Sequence, residues 1–120
     1  MATTRPRPDT GSWLEHGPLS IRTERDPSEL FVVELYGELD LSGAEIFSGV
    51  LERVQESDVQ EIIIDLSGLH FIDSTGLALL VRAHQREKEG ANRMAFLHGP
   101  DPVQRVFDLT RLSERLPFAD

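Results

Sequence analysis

Apolar and polar residues alternate in a pattern that predicts short strands followed by helices. Residues 19–23 and 30–39 carry apolar side chains at every second position, which is typical of strands with one buried face. The turn between these two strands is short, so they should pair antiparallel. Later strands are each separated by one helix, and such strands become parallel neighbours through right-handed crossovers. The sequence therefore predicts an α/β domain with a small, mostly parallel mixed sheet, an antiparallel N-terminal strand pair and packed helices.

The middle of the chain changes from a strand pattern to a helix pattern. Residues 62–64 are three consecutive isoleucines, which indicates a strand buried on both faces. Residues 65–68, DLSG, are expected to end that strand, and the connecting loop after them is predicted to return to the core through Leu69, Phe71 and Ile72. Apolar residues recur at helical spacing from Leu77 onward, which predicts a helix whose first turn contains Ser74.

Two further helices are predicted from the residues at their N-termini. Ser42 and Glu45 have the spacing of a capping box, with Ser42 as the N-cap. Asp101 before Pro102 has the pattern of an N-cap followed by proline at the first helical position. A last short strand is predicted at residues 116–118.

The first part of the chain differs in composition from the rest. Residues 1–18 contain three of the seven prolines and two glycines among polar residues, which is typical of a flexible tail. A chain of 120 residues is long enough for one hydrophobic core. We therefore predict a flexible tail at residues 1–18 and one domain at residues 19–120.

Charge and residue usage exclude several kinds of function. Twenty-one acidic residues against 12 basic ones give a net charge of −9, which argues against binding to nucleic acid. The absence of cysteine excludes disulfides, thiolate metal sites and thiol catalysis. His16 and His98 have no companions at metal-ligand spacing, and no metal site is predicted. Lys88 is the only lysine and is followed by Glu89, so the chain has no P-loop. The N-terminus has no apolar signal-peptide core, and no apolar run approaches the roughly 20 residues needed to span a bilayer. The sequence therefore predicts a cytoplasmic protein that does not insert into a membrane.

Asp65 and Ser74 are the candidate sites of covalent chemistry. Asp65 follows a predicted buried strand, as phosphoacceptor aspartates do, although the chain lacks the second aspartate of a D-x-D pair and a nearby lysine. Ser74 lies at a predicted helix N-terminus, outside any G-x-S-x-G nucleophile elbow. Its hydroxyl is either a helix cap or a phosphate acceptor, because unpaired backbone N–H groups at that position favour anions. The residues alone leave both roles open.

Residues 65–77, DLSGLHFIDSTGL, resemble the signature of STAS domains, specifically of bacterial anti-sigma factor antagonists. Residues 37–40, GELD, match a second landmark of that family, and residues 99–110 match its third-helix region. The resemblance covers residues 19–118. The family pattern usually continues into a further C-terminal helix, whereas this sequence ends at Asp120.

The resemblance implies a non-enzymatic partner-switching protein. In that family the unphosphorylated antagonist binds an anti-sigma factor that is also a GHKL-type serine kinase, which frees the sigma factor. The kinase phosphorylates the serine that matches Ser74, which ends binding, and a PP2C-type phosphatase removes the phosphate. ATP belongs to the kinase, so no cofactor is expected in this chain. The residues implied to contact the partner are Asp40, Ser42, His70, Asp73, Ser74, Thr75 and Gly76.

Two other functions compete with partner switching. A STAS domain can also be a subunit of a membrane transport or lipid-trafficking complex, where the partner would be an ATPase subunit and Ser74 would only cap the helix. The second competing function is that of a phosphatase or receiver domain that uses Asp65 as its phosphoacceptor. The sequence does not specify whether the chain forms a homo-oligomer.

Overall fold

The computed structural model describes residues 11–26, 29–87 and 92–119. The strands in this part of the chain are β1 (Gly11–His16), β2 (Leu19–Asp26), β3 (Leu30–Leu39), β4 (Glu61–Ile72), β5 (Arg93–Leu97) and β6 (Phe118–Ala119). The helices are α1 (Leu41–Glu56), α2 (Ser74–Glu87) and α3 (Asp101–Leu109), with a short 3-10 helix at Leu112–Glu114. None of these described helices has the length and apolarity needed to cross a membrane.

The strands form one six-stranded sheet in which spatial order follows chain order from β1 to β6. The first three strands pair antiparallel, and β3 to β6 pair parallel. Each helix connects neighbouring parallel strands in the same direction across the sheet, so right-handed crossovers place all three helices on one face. The predicted mixed, mostly parallel α/β fold with antiparallel N-terminal strands is confirmed.

The helices and the sheet face that they cover share one hydrophobic core. Three neighbouring parallel strands each place a fully buried side chain in this core at the same level of the sheet. These side chains are Val33, Ile64 and Phe96, which lie opposite one another. The other sheet face carries polar side chains, including an ion pair of 3.4 Å between Arg22 and Glu34. The helical members of the core include Phe47, Val50, Leu51 and Val54 of α1, Leu77, Leu80 and Ala83 of α2, and Val103 and Phe107 of α3.

Part of the predicted N-terminal tail is a strand. Residues 11–16 form β1 and pair with β2 along their whole length. The strand is held by contacts distant in sequence: Trp13 packs on Tyr36 with ring centroids 5.4 Å apart, and Leu14 packs against the core. The prediction of a flexible tail is therefore wrong for residues 11–16, and residues 1–10 lie outside the described part of the chain.

Strand β4 is longer than its isoleucines suggest, because it continues through residues 65–72. Two register shifts against β3 each insert one extra residue into β4, which is the mark of a β-bulge. Only a glycine fits at position 68, where a Cβ would lie 2.4 Å from Cδ2 of Tyr36 and 2.8 Å from the carbonyl oxygen of Leu35. The predicted loop is therefore wrong, and Phe71, which was expected in the core, is 45% exposed.

Three predicted boundaries differ by one or two residues from the structure. Helix α1 has Asp40 rather than Ser42 as its N-cap, so the predicted capping box does not form. Helix α3 already includes Asp101, because Pro100 has the extended backbone of an N-cap residue, with ψ of 164°. The last strand is β6, at residues 118–119 rather than 116–118, and it pairs parallel with β5.

Candidate functional site

Strands β3 and β4 end side by side, and a helix begins directly after each. Leu39 is the last residue of β3 and lies opposite Ile72, the last residue of β4. The backbone N–H of Asp73 donates to the Leu39 carbonyl at 3.2 Å, which joins the two strand ends. The N-termini of α1 and α2 therefore lie next to each other at the carboxyl edge of the parallel strands, where open α/β sheets bind their ligands.

Asp40 caps the N-terminus of α1. Its Oδ1 atom accepts hydrogen bonds from the N–H of Ser42 at 3.0 Å and from the hydroxyl of Ser42 at 2.7 Å. The hydrogen bond from the Ser42 hydroxyl is the largest of the effects that hold the pKa of Asp40 below its usual value. The Asp40 carboxylate is therefore ionised at neutral pH, and the Ser42 hydroxyl is directed toward it.

Asp73 caps the N-terminus of α2, so Ser74 is not the cap. Oδ1 of Asp73 accepts a hydrogen bond from the N–H of Gly76 at 3.0 Å, and the Asp73 carbonyl accepts one from the N–H of Leu77 at 3.0 Å. These two bonds are those of an N-cap residue. Ser74 is the first helical residue and is exposed, and its hydroxyl makes no hydrogen bond to any residue that the structure describes. The sequence-based alternative in which Ser74 caps the helix is therefore wrong.

Gly76 allows α2 to pack directly on the two strand ends. A Cβ at this buried position would lie 2.8 Å from Cγ of Leu39 and 3.0 Å from Cγ1 of Ile72, so a larger residue would displace the helix. Thr75, beside it, is half-buried. Of these two predicted partner contacts, Gly76 contributes close packing and Thr75 contributes accessible surface.

His70, Phe71 and Leu41 extend the exposed surface around Ser74. His70 is the extra residue of the second β-bulge and is exposed. Phe71 is 45% exposed and Leu41 is 73% exposed. Sequence reasoning missed both apolar residues as surface groups. A signal for Leu41 was available, because it is apolar but falls outside the buried stripe of α1.

These residues form one exposed edge of the molecule, which we call the Ser74 surface. It combines two carboxylates that cap helices, hydroxyl groups and two exposed apolar side chains. Such a mixture suits a protein partner, whose apolar groups can anchor on the leucine and phenylalanine while polar groups fix the orientation. Within the described residues, no group of three or more histidine or acidic side chains could hold a metal ion. The members of the Ser74 surface are Asp40, Leu41, Ser42, His70, Phe71, Asp73, Ser74 and Thr75.

Asp65 does not occupy the position of a phosphoacceptor aspartate. It lies inside β4, well before the strand ends at Ile72, and pairs with Glu34 of β3 on the sheet face away from the helices. Its Oδ1 atom accepts a hydrogen bond from the N–H of Ser67 at 2.9 Å. Asp65 therefore stabilises the backbone at the first β-bulge; it lies opposite Leu97, the last residue of β5, but seven residues before the end of its own strand.

The sequence profile of the STAS domain matches residues 20–120. An anti-sigma F factor antagonist from Paenibacillus polymyxa is 27% identical over 92 residues, which are 76% of this chain and 79% of that protein.

Solved structures of similar fold include SpoIIAA in two forms. The unphosphorylated form is 26% identical with a TM-score of 0.69, and the match covers 83% of this chain and 88% of that one. The phosphorylated form, from Bacillus, is 25% identical with a TM-score of 0.64, and the match covers 83% and 91%. An anti-sigma factor antagonist from Mycobacterium paratuberculosis has the same fold, with a TM-score of 0.72 at 22% identity over 93% of this chain and 87% of that one.

Proposed function

The chain belongs to the STAS domain family, and we propose that it is an anti-sigma factor antagonist controlled by phosphorylation of Ser74. The unphosphorylated form binds an anti-sigma factor that is also a GHKL-type serine kinase, and the sigma factor is released. Phosphorylation of Ser74 ends this binding, and a PP2C-type phosphatase restores the hydroxyl. Two comparisons support the proposal: a relative named as an anti-sigma F factor antagonist, and a similar protein solved in a phosphorylated form.

The observation that carries the proposal is an exposed Ser74 hydroxyl at a helix N-terminus that another residue caps. Because Asp73 makes the capping hydrogen bond to Gly76, modification of the Ser74 hydroxyl leaves the cap intact. The first N–H groups of a helix have no partner within the helix and favour a negative charge nearby. The domain can therefore stay folded when Ser74 carries a phosphate, and the effect of the phosphate falls on the partner.

Phosphorylation changes the charge of the Ser74 surface more than its shape. A phosphate adds about −1.5 to −2 charges at neutral pH, beside the Asp40 and Asp73 carboxylates. A partner that covers Leu41 and Phe71 must exclude water from this edge, and burying a dianion among carboxylates carries a large desolvation cost. The unphosphorylated surface therefore binds, and the phosphorylated surface releases the partner.

The chemical step belongs to the partner kinase. The Oγ atom of Ser74 attacks the γ-phosphorus of ATP bound to the kinase, the bond to the bridging oxygen breaks, and ADP leaves. The hydroxyl proton passes to a base of the kinase. In this step the domain contributes an accessible hydroxyl, held at the start of α2 by the packing of Gly76.

Affinity purification from the native cells tests the proposal. Tagged wild-type chain is compared with Ser74→Ala, Ser74→Asp and the control Ser67→Ala, which removes another exposed serine hydroxyl, from β4. We expect Ser74→Ala and Ser67→Ala to retain a GHKL-type kinase and Ser74→Asp to lose it. Equal retention of the kinase by Ser74→Asp would contradict the proposal. Retention of a transport ATPase subunit by all four chains would instead support a transport-complex subunit.

A further inference from the structure

A cleft separates α1 from the hairpin formed by β1 and β2. Its inner part is a cavity of about 210 Å³. An outer trough of about 450 Å³ adjoins it, and Leu14 and Arg53 line both parts. Ser74 lines neither part, and the cleft meets the Ser74 surface only at Ser42, which lines the outer trough.

The inner cavity has a buried apolar floor, and the polar side chains of Ser12, Thr23 and Arg53 line the rest of it together with Trp13 and Leu14. Ile21, Val50 and Val54 form its buried part, and the half-buried Phe31 completes the apolar lining. The hydroxyls of Ser12 and Thr23 lie 2.9 Å apart and hydrogen-bond each other, so neither requires a ligand. The apolar floor suits the hydrocarbon part of a small molecule, and the polar side chains suit its polar end.

Arg53 gives the cleft a single permanent positive charge. It is the only arginine or lysine among the lining residues, and its guanidinium forms no ion pair with any residue in the described ranges. The chain carries a net charge of −9, so an anion that enters the cleft needs a local cation. A guanidinium binds a carboxylate through two parallel hydrogen bonds.

Gly49 keeps the outer trough open. It lies inside α1, and a Cβ at this position would meet no heavy atom within 4 Å. Glycine destabilises a helix interior relative to alanine. Close packing therefore does not require a glycine at this position. The effect of the missing side chain is to leave the trough open above α1.

We propose that this cleft binds an aliphatic monocarboxylate, with the hydrocarbon chain in the inner cavity and the carboxylate on Arg53. A cavity of about 150 Å³ accommodates benzene, so the inner cavity accommodates a chain of roughly eight carbons. Glu45 also lines the trough, but it is eight residues from Arg53 along α1, about 12 Å at the rise of a helix. The carboxylate therefore binds at the Arg53 end of the trough, away from Glu45.

Titration of the intact ¹⁵N-labelled chain with octanoate, followed by NMR, tests this proposal. We expect saturable amide shifts at Leu14, Val50 and Val54. Octylamine, which has the same chain length and the opposite charge, should cause none of them. Shifts from octanoate that spread over the open sheet face around Tyr36, or equal shifts from octylamine, would overturn the proposal.

Two variants separate the contribution of the charge from that of the space. Because Arg53 is exposed, Arg53→Gln should weaken octanoate binding about threefold, as expected for loss of a solvent-exposed ion pair, and should leave binding of neutral 1-octanol unchanged. The control Arg105→Gln removes the same charge from an exposed position on α3 and should bind octanoate like the wild type. Gly49→Leu fills the trough and should reduce the binding of both ligands. Equal octanoate affinity in Arg53→Gln and Arg105→Gln would overturn the proposal, whatever the folding of the Gly49 variant.

Discussion

Replacing Asp73 by alanine should destabilise the protein, whereas replacing Ser74 by alanine should not. The Asp73 carboxylate caps α2 through a 3.0 Å hydrogen bond to the N–H of Gly76, and loss of such a cap costs about 1 kcal/mol. The Ser74 hydroxyl makes no comparable bond within the described structure, so Ser74→Ala should change the free energy of unfolding by less than about 0.5 kcal/mol.

These energies translate into a measurable difference in melting temperature. The unfolding entropy of a chain of this length is about 0.25 kcal/mol/K near 60 °C, so a loss of about 1 kcal/mol lowers Tm by about 4 °C. Asp73→Asn is the matched control. Asparagine caps nearly as well as aspartate, and the variant loses only the charge interaction with the helix dipole, about 0.3–1 kcal/mol.

Thermal unfolding followed by circular dichroism measures Tm, and urea unfolding followed by the same signal measures the free energy of unfolding. The three variants should keep the wild-type m-value, because none changes the surface exposed on unfolding. The expected order of midpoints is wild type and Ser74→Ala together, then Asp73→Asn, then Asp73→Ala. If Ser74→Ala were as destabilising as Asp73→Ala, Ser74 would be a cap, and the reasoning about the Ser74 surface would be refuted.

Three further outcomes are expected. Gly49→Ala should raise the free energy of unfolding by about 0.5–1 kcal/mol, because alanine is the better helix former and no heavy atom lies within 4 Å of the added Cβ. Calorimetry measures this change, and an unchanged or lower free energy of unfolding would contradict the prediction. Tyr36 is the only tyrosine, and partial burial of its ring, followed by the hydrogen bond to Glu34, raises its pKa to about 12. A spectrophotometric titration should therefore show no ionisation near pH 10, and stability should fall as the pH rises from the unfolded pKa toward 12, because the unfolded chain releases the proton first. Leu41→Ala should keep the wild-type Tm, since its side chain is 73% exposed, whereas Phe71→Ala should lower Tm slightly, since its side chain is only 45% exposed. Each variant should weaken kinase binding about tenfold or more, as expected for apolar anchors of an interface. Unchanged affinity in both would show that the partner does not cover this edge.

The order of the main strands and helices could be predicted because each buries one periodic face. The alternation through residues 30–39 and the helical spacing from Leu77 are local signals, and both correspond to elements of the structure. Strand β1 was missed because its evidence is not local. Trp13 contacts Tyr36, and no pattern within the glycine- and proline-containing N-terminal segment shows that contact.

The position of the candidate site could be predicted from two short motifs, but the roles of single residues could not. GELD and DSTG lie at the ends of β3 and β4, which meet through the pairing of Leu39 with Ile72. Sequence spacing favoured Ser42 as a cap and left Ser74 open, whereas the preceding aspartates, Asp40 and Asp73, make the capping bonds. Several residue types can cap a helix, so only the position at which the helix begins decides which one does.

Phosphorylation of Ser74 is the event on which the proposed partner switching depends. Intact-mass and peptide mass spectrometry of the chain isolated from its native cells, with and without phosphatase treatment, measures this modification. We expect one phosphate that phosphatase removes, located on the peptide that contains Ser74 and absent from Ser74→Ala. A chain without phosphate under every growth condition, together with a Ser74→Ala variant that behaves like the wild type in cells, would contradict the account.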